Sequence, residues 1–342
     1  MQKELTSGRL LDASGALAQA GWSTRLMRAY DRADIRASKW RIKEWDYYLI
    51  DDGENALCLT IDDNFYMGML SATLLNRKTP CERTKSIILP FTRGKVGLPN
   101  SSERGDVELH SGKSWIRFCN DGKIRILECH MEKFEGGAPL DANVRLSEVP
   151  RDSMVIATPF AEKKTAFYYN QKIVGMTADG FARAGNREVR FSPDHAQGLL
   201  DWGRGVWTYD NTWFWSAAMG EAGGARFGFN LGYGFGDTSA ASENMLFVNG
   251  MAHKLSRVTF GIPQKDGRDD FLKPWRFTSD DGRFEAEFVP QIDRSAKTSL
   301  GVLMSDQHQV FGVFSGKCRL EGGEELQFSN LSGFAEKVRN KW

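Results

Sequence analysis

The chain has little that would tie it to a metal, a disulfide framework, a membrane or a nucleic acid. Its 342 residues hold five cysteines: Cys58, Cys81, Cys119, Cys129 and Cys318. The number is odd and no pair has CxxC spacing, which argues against a disulfide framework or a zinc site and points to a reducing compartment. Cys58 and Cys119 fall in apolar strand patterns and read as small core residues. The histidines show no HxH or HxxxH spacing, so no metal is expected. No apolar run approaches a membrane span, and MQKELTSGRLLDASG has no apolar leader core. No integral membrane segment is therefore expected, and the location is read as cytoplasmic. A net charge of +1 offers no global field for nucleic acid or an anionic membrane. Long amphipathic helical patterns are missing. So are a GxSxG motif and a phosphate loop, and no cofactor is expected.

What is present is aromatic and glycine-rich. Ten Trp, twenty-two Phe and thirty-five Gly favour many short strands joined by tight turns. The chain is also longer than one core usually serves. It nearly repeats itself at an offset of 160 residues. Trp115 stands seven residues before Gly122, and Trp275 seven before Gly282. Both Asp-Gly pairs read as hairpin turns. The same offset carries Gly68 onto Gly228 and Tyr47 onto Trp207. Two tandem antiparallel β-barrels follow: an N-terminal arm over 1–35, a first barrel over 36–160 and a second over 161–342.

In KWRIKEWDYYLI, alternation places Trp45, Tyr47 and Leu49 on one strand face and Asp46, Tyr48 and Ile50 on the other. Lys39, Arg41 and Lys43 read as a solvated outer face, and Asp62-Asp63 as a turn. A helical turn is expected at His195–Leu200, and FAEKVRNKW reads as a short polar helix at best.

The densest chemistry lies in LLDWGRGVWTYDNTWFWS. Asp201 and Arg204 are close enough to pair around a glycine turn. Trp207, Trp213 and Trp215 supply apolar surface, the last two on one strand face. Together they suit a pocket gripping a ring-shaped or apolar ligand at one polar point. The plainer reading is a locked turn and a tryptophan core. Asn230 lies among glycines that would let a ligand or another chain segment approach closely, or that simply mark a barrel corner. Glu243, followed by Asn244, opens the next strand. It is a candidate general acid if apolar neighbours raise its pKa; equally, it is a turn cap or a partner of Arg204 or Arg226.

GRGVW, the WxW strand and the EN…NG hairpin, with KWRIKEWDYYLI, FGFNLGYGF and LSGFAEKVRNKW, resemble the DUF2804 family of uncharacterised bacterial proteins. The resemblance runs from about Gly8 to Trp342. More distantly, the tandem arrangement is similar to the carotenoid 1,2-hydratase and AttH group and to lipocalin-like cyclases. That likeness implies an all-β fold of two lipocalin-like (calycin) barrels and a hydrophobic ligand, and it transfers no catalytic residues.

Three readings follow. The first is a hydratase, isomerase or cyclase of an apolar small molecule. In it Glu243 or Asp201 is the general acid, Arg204, Asn230 and Asn244 orient a polar group, and Trp207, Trp213 and Trp215 shape the cavity. The second is a non-catalytic carrier of a lipid or similar ligand. The third is a carbohydrate-active or carbohydrate-binding protein. All three place a small-molecule ligand in the second barrel or between the barrels, and leave the oligomeric state open.

Overall fold

The computed structural model describes residues 2–342, in which two large antiparallel β-sheets pack face to face and two short two-stranded pairs stand apart from them. The first, of thirteen strands, is a nearly closed barrel; the second, of nine, is a half-barrel. The fold is the expected all-β tandem. The described helix amounts to two single 3-10 turns, Arg32–Asp34 and Lys39–Arg41. No described helix is long and apolar enough to cross a membrane.

Each sheet is built the same way. In the first, Ile42–Asp51 opens a meander through Asn55–Asp63, Met67–Asn76 and Cys81–Pro90. In the second, Asp210–Ala222 opens one through Ala225–Tyr233, Met245–Val248 and Met251–Lys254. The chain then leaves for the far edge and works back. Its returning strand, Gln197–Val206 or Glu325–Lys341, pairs with the strand that opened the sheet. Trp115 and Trp275 sit on matching strands near the far edges, and the Gly122 and Gly282 turns that follow have φ of 92° and 66°. The expected repeat is sound at this hairpin.

Elsewhere the 160-residue offset fails. The opening strands begin 168 residues apart, which aligns Trp45 with Trp213 and Tyr47 with Trp215. The returning strands are 135 apart, aligning Asp201 with Glu336 and Trp207 with Trp342. Tyr47 and Trp207 are thus not counterparts, nor are Gly68, in the third meander strand, and Gly228, in the second. The main cause is one extra strand between the Trp hairpin and the returning strand in the first sheet, so no single offset fits.

Three other expectations are corrected. The sheets change between Val206 and Asp210, not at 160/161, because Lys163–Ala184 and Gln197–Val206 complete the first barrel. No helical turn spans His195–Leu200, where Gln197 already begins a strand. FAEKVRNKW is strand, bonded on both sides by Leu303–Arg319 and Asp210–Ala222. Two neighbouring ladders outweigh the weak helical propensity of a short polar segment.

Strand alternation divides the first barrel as read from sequence. Tyr48 packs inward against Phe118, ring centroids 4.7 Å apart, while Tyr47 turns out toward Trp215 of the second sheet at 6.0 Å. The half-barrel has its own phenylalanine core, including Phe229, Phe277, Phe288 and Phe314. Its other face meets the first sheet. Trp215, Phe311 and Phe334 there join the large core of the first barrel. One polar clasp across this contact is Ser332 Oγ, which donates to Asp51 at 2.9 Å beside the buried Arg77–Asp51 pair.

Candidate functional site

Between the two sheets lies a cavity of about 210 Å³. Aromatic rings wall it. Trp207 stands 5.6 Å from Trp213, 4.6 Å from Phe235 and 5.6 Å from Trp342, and Trp45 stacks on Tyr168. Charged groups interrupt the walls: Lys43, Asp62, Lys172, Asp201, Glu243, Arg294 and Glu336. An apolar shell with so many ionisable groups at its surface is uncommon outside functional sites.

Two cross-strand rows meet here. In the first sheet, Tyr47 faces Asp201, which faces Lys172. In the second, Trp215 faces Glu336, which faces Gln309, which faces Arg294. Directly opposed residues in an antiparallel ladder project to the same side, so each row forms one wall.

The two carboxylates in these rows differ in company. Asp201 Oδ1 lies 2.7 Å from Lys172 Nζ and accepts from Asn170 Nδ2 at 2.6 Å. Lys172 Nζ also sits 3.9 Å from the centre of the Trp215 ring system. Glu336 accepts from neutral donors, Trp213 Nε1 at 2.9 Å and Gln309 Nε2 at 3.0 Å. Burial pushes the Glu336 carboxyl up to about 7, against the pull of the Trp213 hydrogen bond and the Lys172 charge. Glu243 is raised by burial too, opposed by Lys172. Its Oε2 is buried with no hydrogen-bond partner in the protein. Gly232 makes room for it: a Cβ there would come within 2.5 Å of Glu243 Oε1. The close approach that the glycine-rich strand permits is thus made by this carboxyl.

Elsewhere in the lining, Lys43 and Asp62 perturb each other. Burial lowers the Lys43 ammonium to about 7 and raises the Asp62 carboxyl to about 8, each shift moderated by the other charge.

The structure divides the residues singled out from sequence. Asp201, Glu243, Trp207, Trp213 and Trp215 line the cavity. Arg204 does not pair with Asp201. Three residues apart on a strand, the two point to opposite faces, and Arg204 is fully buried inside the barrel against Asp46 at 2.9 Å. Asn230 acts from behind the wall, accepting from Trp215 Nε1 at 2.7 Å and donating to Glu243 O at 2.8 Å. Asn244 braces the same region, accepting from Gly232 N and donating to Ser256 O. Glu243 pairs with neither suggested arginine; Arg226 instead meets Glu148. Lys43 is not solvated but 1% exposed, because the returning strand and Trp342 cover it. Asp62 lies within the strand and lines the cavity, leaving Asp63, the last strand residue, to hold the turn through Phe65 N and Thr92 Oγ1.

Sequence reading missed Lys172, Glu336, Arg294 and Trp342. Two of them carried a signal. Asp201-x-x-Arg204-x-x-Trp207 returns as Glu336-x-x-Arg339-x-x-Trp342, each at the end of its sheet's returning strand. Lys172 and Arg294 had none, since each reaches the cavity only through its strand neighbours.

The fold is shared with solved structures of low sequence identity. The crystal structure of CghA with Sch210972 matches at a TM-score of 0.53 and 11% identity, over 98% of this chain and 97% of that one. Kievitone hydratase from Nectria haematococca matches at 0.50 and 11%, over 99% and 98%. An AttH-type protein from Nitrosomonas europaea matches at 0.54 and 11%, over 92% and 98%. The AttH likeness expected from sequence is therefore present at the level of fold. Among curated proteins none matches the chain in sequence. The model of the DUF2804 domain of unknown function matches residues 2–342, and the chain belongs to that family.

Proposed function

We propose that the chain is an enzyme that hydrates, isomerises or cyclises a largely apolar, ring-bearing small molecule in the cavity between its sheets, with Glu243 as proton donor. The observation that carries this is the Glu243 carboxyl: raised by burial, with Oε2 free of any protein partner, in a tryptophan-walled cavity. A carboxyl that burial makes hold its proton more tightly than usual, beside a wall able to hold an apolar substrate, is suited to general acid catalysis. Protonating a substrate double bond would leave positive charge on carbon, which the rings of Trp207 and Trp213 would stabilise. Water would then add, or a neighbouring carbon would lose its proton. In either case the released proton returns to the Glu243 carboxylate. Asp201 is bound to Lys172 and serves this scheme as a fixed charge, with Glu336 the better second proton-handling group.

The kievitone hydratase match is compatible with this chemistry, while the likeness itself concerns the fold. A carrier of apolar cargo needs no charged row, and an open sugar-binding groove would not close into edge-to-face tryptophans, so both rank second.

The test is proton incorporation. The purified protein is incubated in D₂O with a panel of polyenes and alkenyl phenols, and products are read by mass spectrometry. Wild type is expected to install deuterium, and Glu243→Gln to lose about 10²–10⁴ of the rate while still binding. Undiminished rates in both Glu243→Gln and Asp201→Asn would refute the acid assignment. Binding without exchange by wild type would favour the carrier.

A further inference from the structure

The part of the cavity that Lys43 shares with the Asp62 carboxyl holds hydrogen-bond donors that the protein leaves unused. Lys43 is 1% exposed, yet no carboxylate oxygen lies within 4.0 Å of its ammonium among the described residues. Its one hydrogen-bond contact is Trp40 O at 3.5 Å, too long to satisfy an ammonium group. Aromatic faces stand around it instead, with Nζ 4.3 Å from the Tyr66 ring and 5.1 Å from that of Trp342. The indole nitrogens of Trp207 and Trp342 are both buried without an acceptor, and their rings are 5.6 Å apart. Gly205, opposite Lys43 on the next strand, lets the Trp207 indole lie close, since a Cβ there would sit 3.0 Å from Trp207 Nε1. Lys43, Trp207 and Trp342 all line the cavity.

A buried ammonium and two buried N–H groups without acceptors cost free energy unless something accepts from them. Tryptophan N–H is a donor only, and so is a charged lysine. We infer that Lys43, Trp207 and Trp342 form a receiving site for an anionic oxygen of the ligand, a carboxylate or the oxyanion of an acidic ring hydroxyl. This rests on the cavity being the ligand site. It narrows the substrate from an apolar ring system to one bearing an acidic oxygen apart from the atom that Glu243 protonates. The anion anchors the molecule, and its distance from the reacting carbon sets which double bond meets the acid.

Calorimetric titration with two bicyclic probes of like shape tests this. 2-Naphthoate carries the anion and 2-naphthalenemethanol a neutral hydroxyl. Wild type is expected to prefer naphthoate by about tenfold or more, since a charge-assisted hydrogen bond is the stronger kind. Lys43→Met should erase the preference. Trp342→Phe, which retains a ring but removes the N–H, should reduce the preference several-fold. The wild-type ratio needs no variant, so a misfolded substitution does not obscure the answer. Equal affinity of wild type for both probes, or an unchanged preference in both variants, would overturn the anion site and leave the Glu243 reading standing, because the neutral probe would still occupy the cavity. Binding of neither probe would overturn both.

Discussion

The two sheets put a carboxylate at the same place and treat it differently. Asp201 and Glu336 occupy matching register positions on the returning strands, opposite Tyr47 and Trp215. The next strand inward then decides their chemistry. The first sheet offers Lys172 and the second Gln309. An ammonium at 2.7 Å makes one an ion pair; an amide at 3.0 Å and an indole leave the other raised to about 7. A duplicated scaffold can thus divide acid and base duties by changing one neighbour, without moving the carboxylate.

Removing the ammonium should break the comparison most severely. Lys172→Met strands Asp201 in a site where its side chain is 8% exposed, and a loss of about 3–5 kcal/mol is expected in urea melts. Adding Asp201→Asn should recover much of that loss, and a double variant no better than the single would show that the two do not interact.

The second sheet responds to pH. Glu336 holds its proton to about 7 when folded, against 4.5 for the ordinary side chain. The folded state therefore binds the extra proton between these values, and its contribution to stability is present below the lower and lost as pH rises through the upper. The loss amounts to at most about 3 kcal/mol. Glu336→Gln should flatten this part of the profile, so the variant gains on wild type between pH 5 and 8; parallel profiles would place the proton elsewhere.

Gln309→Leu should cost about 1–2 kcal/mol at neutral pH by leaving Glu336 Oε2 without its amide donor. If it instead cost as much as Lys172→Met, the contrast between the sheets would collapse. Ser332→Ala, which removes the hydroxyl clasp on Asp51, should cost about 1 kcal/mol and leave the pH profiles of both sheets unchanged.

Much of the frame was legible because strand alternation is local. Tyr47 and Tyr48 had to face opposite ways, and so did Asp201 and Arg204. The latter rule, applied to the run after Leu200, would have excluded their pairing. The C-terminal FAEKVRNKW carries no strong strand pattern of its own, and its ladder partners begin some twenty residues earlier and over a hundred earlier. Lys43 shows the same limit: a basic residue alternating with apolar ones reads as solvated until another sheet closes over it.

The sequence by itself determined an all-β tandem, its hairpin turns at Gly122 and Gly282, and the aromatic stock of the cavity, because turns and face alternation depend on near neighbours. The membership of each sheet, the meeting of Asp201 with Lys172 and Glu336 with Gln309, and the burial of Lys43 were decided only in the tertiary structure. Those contacts join residues twenty-seven or more positions apart, and their protonation depends on how deeply the two sheets bury them together.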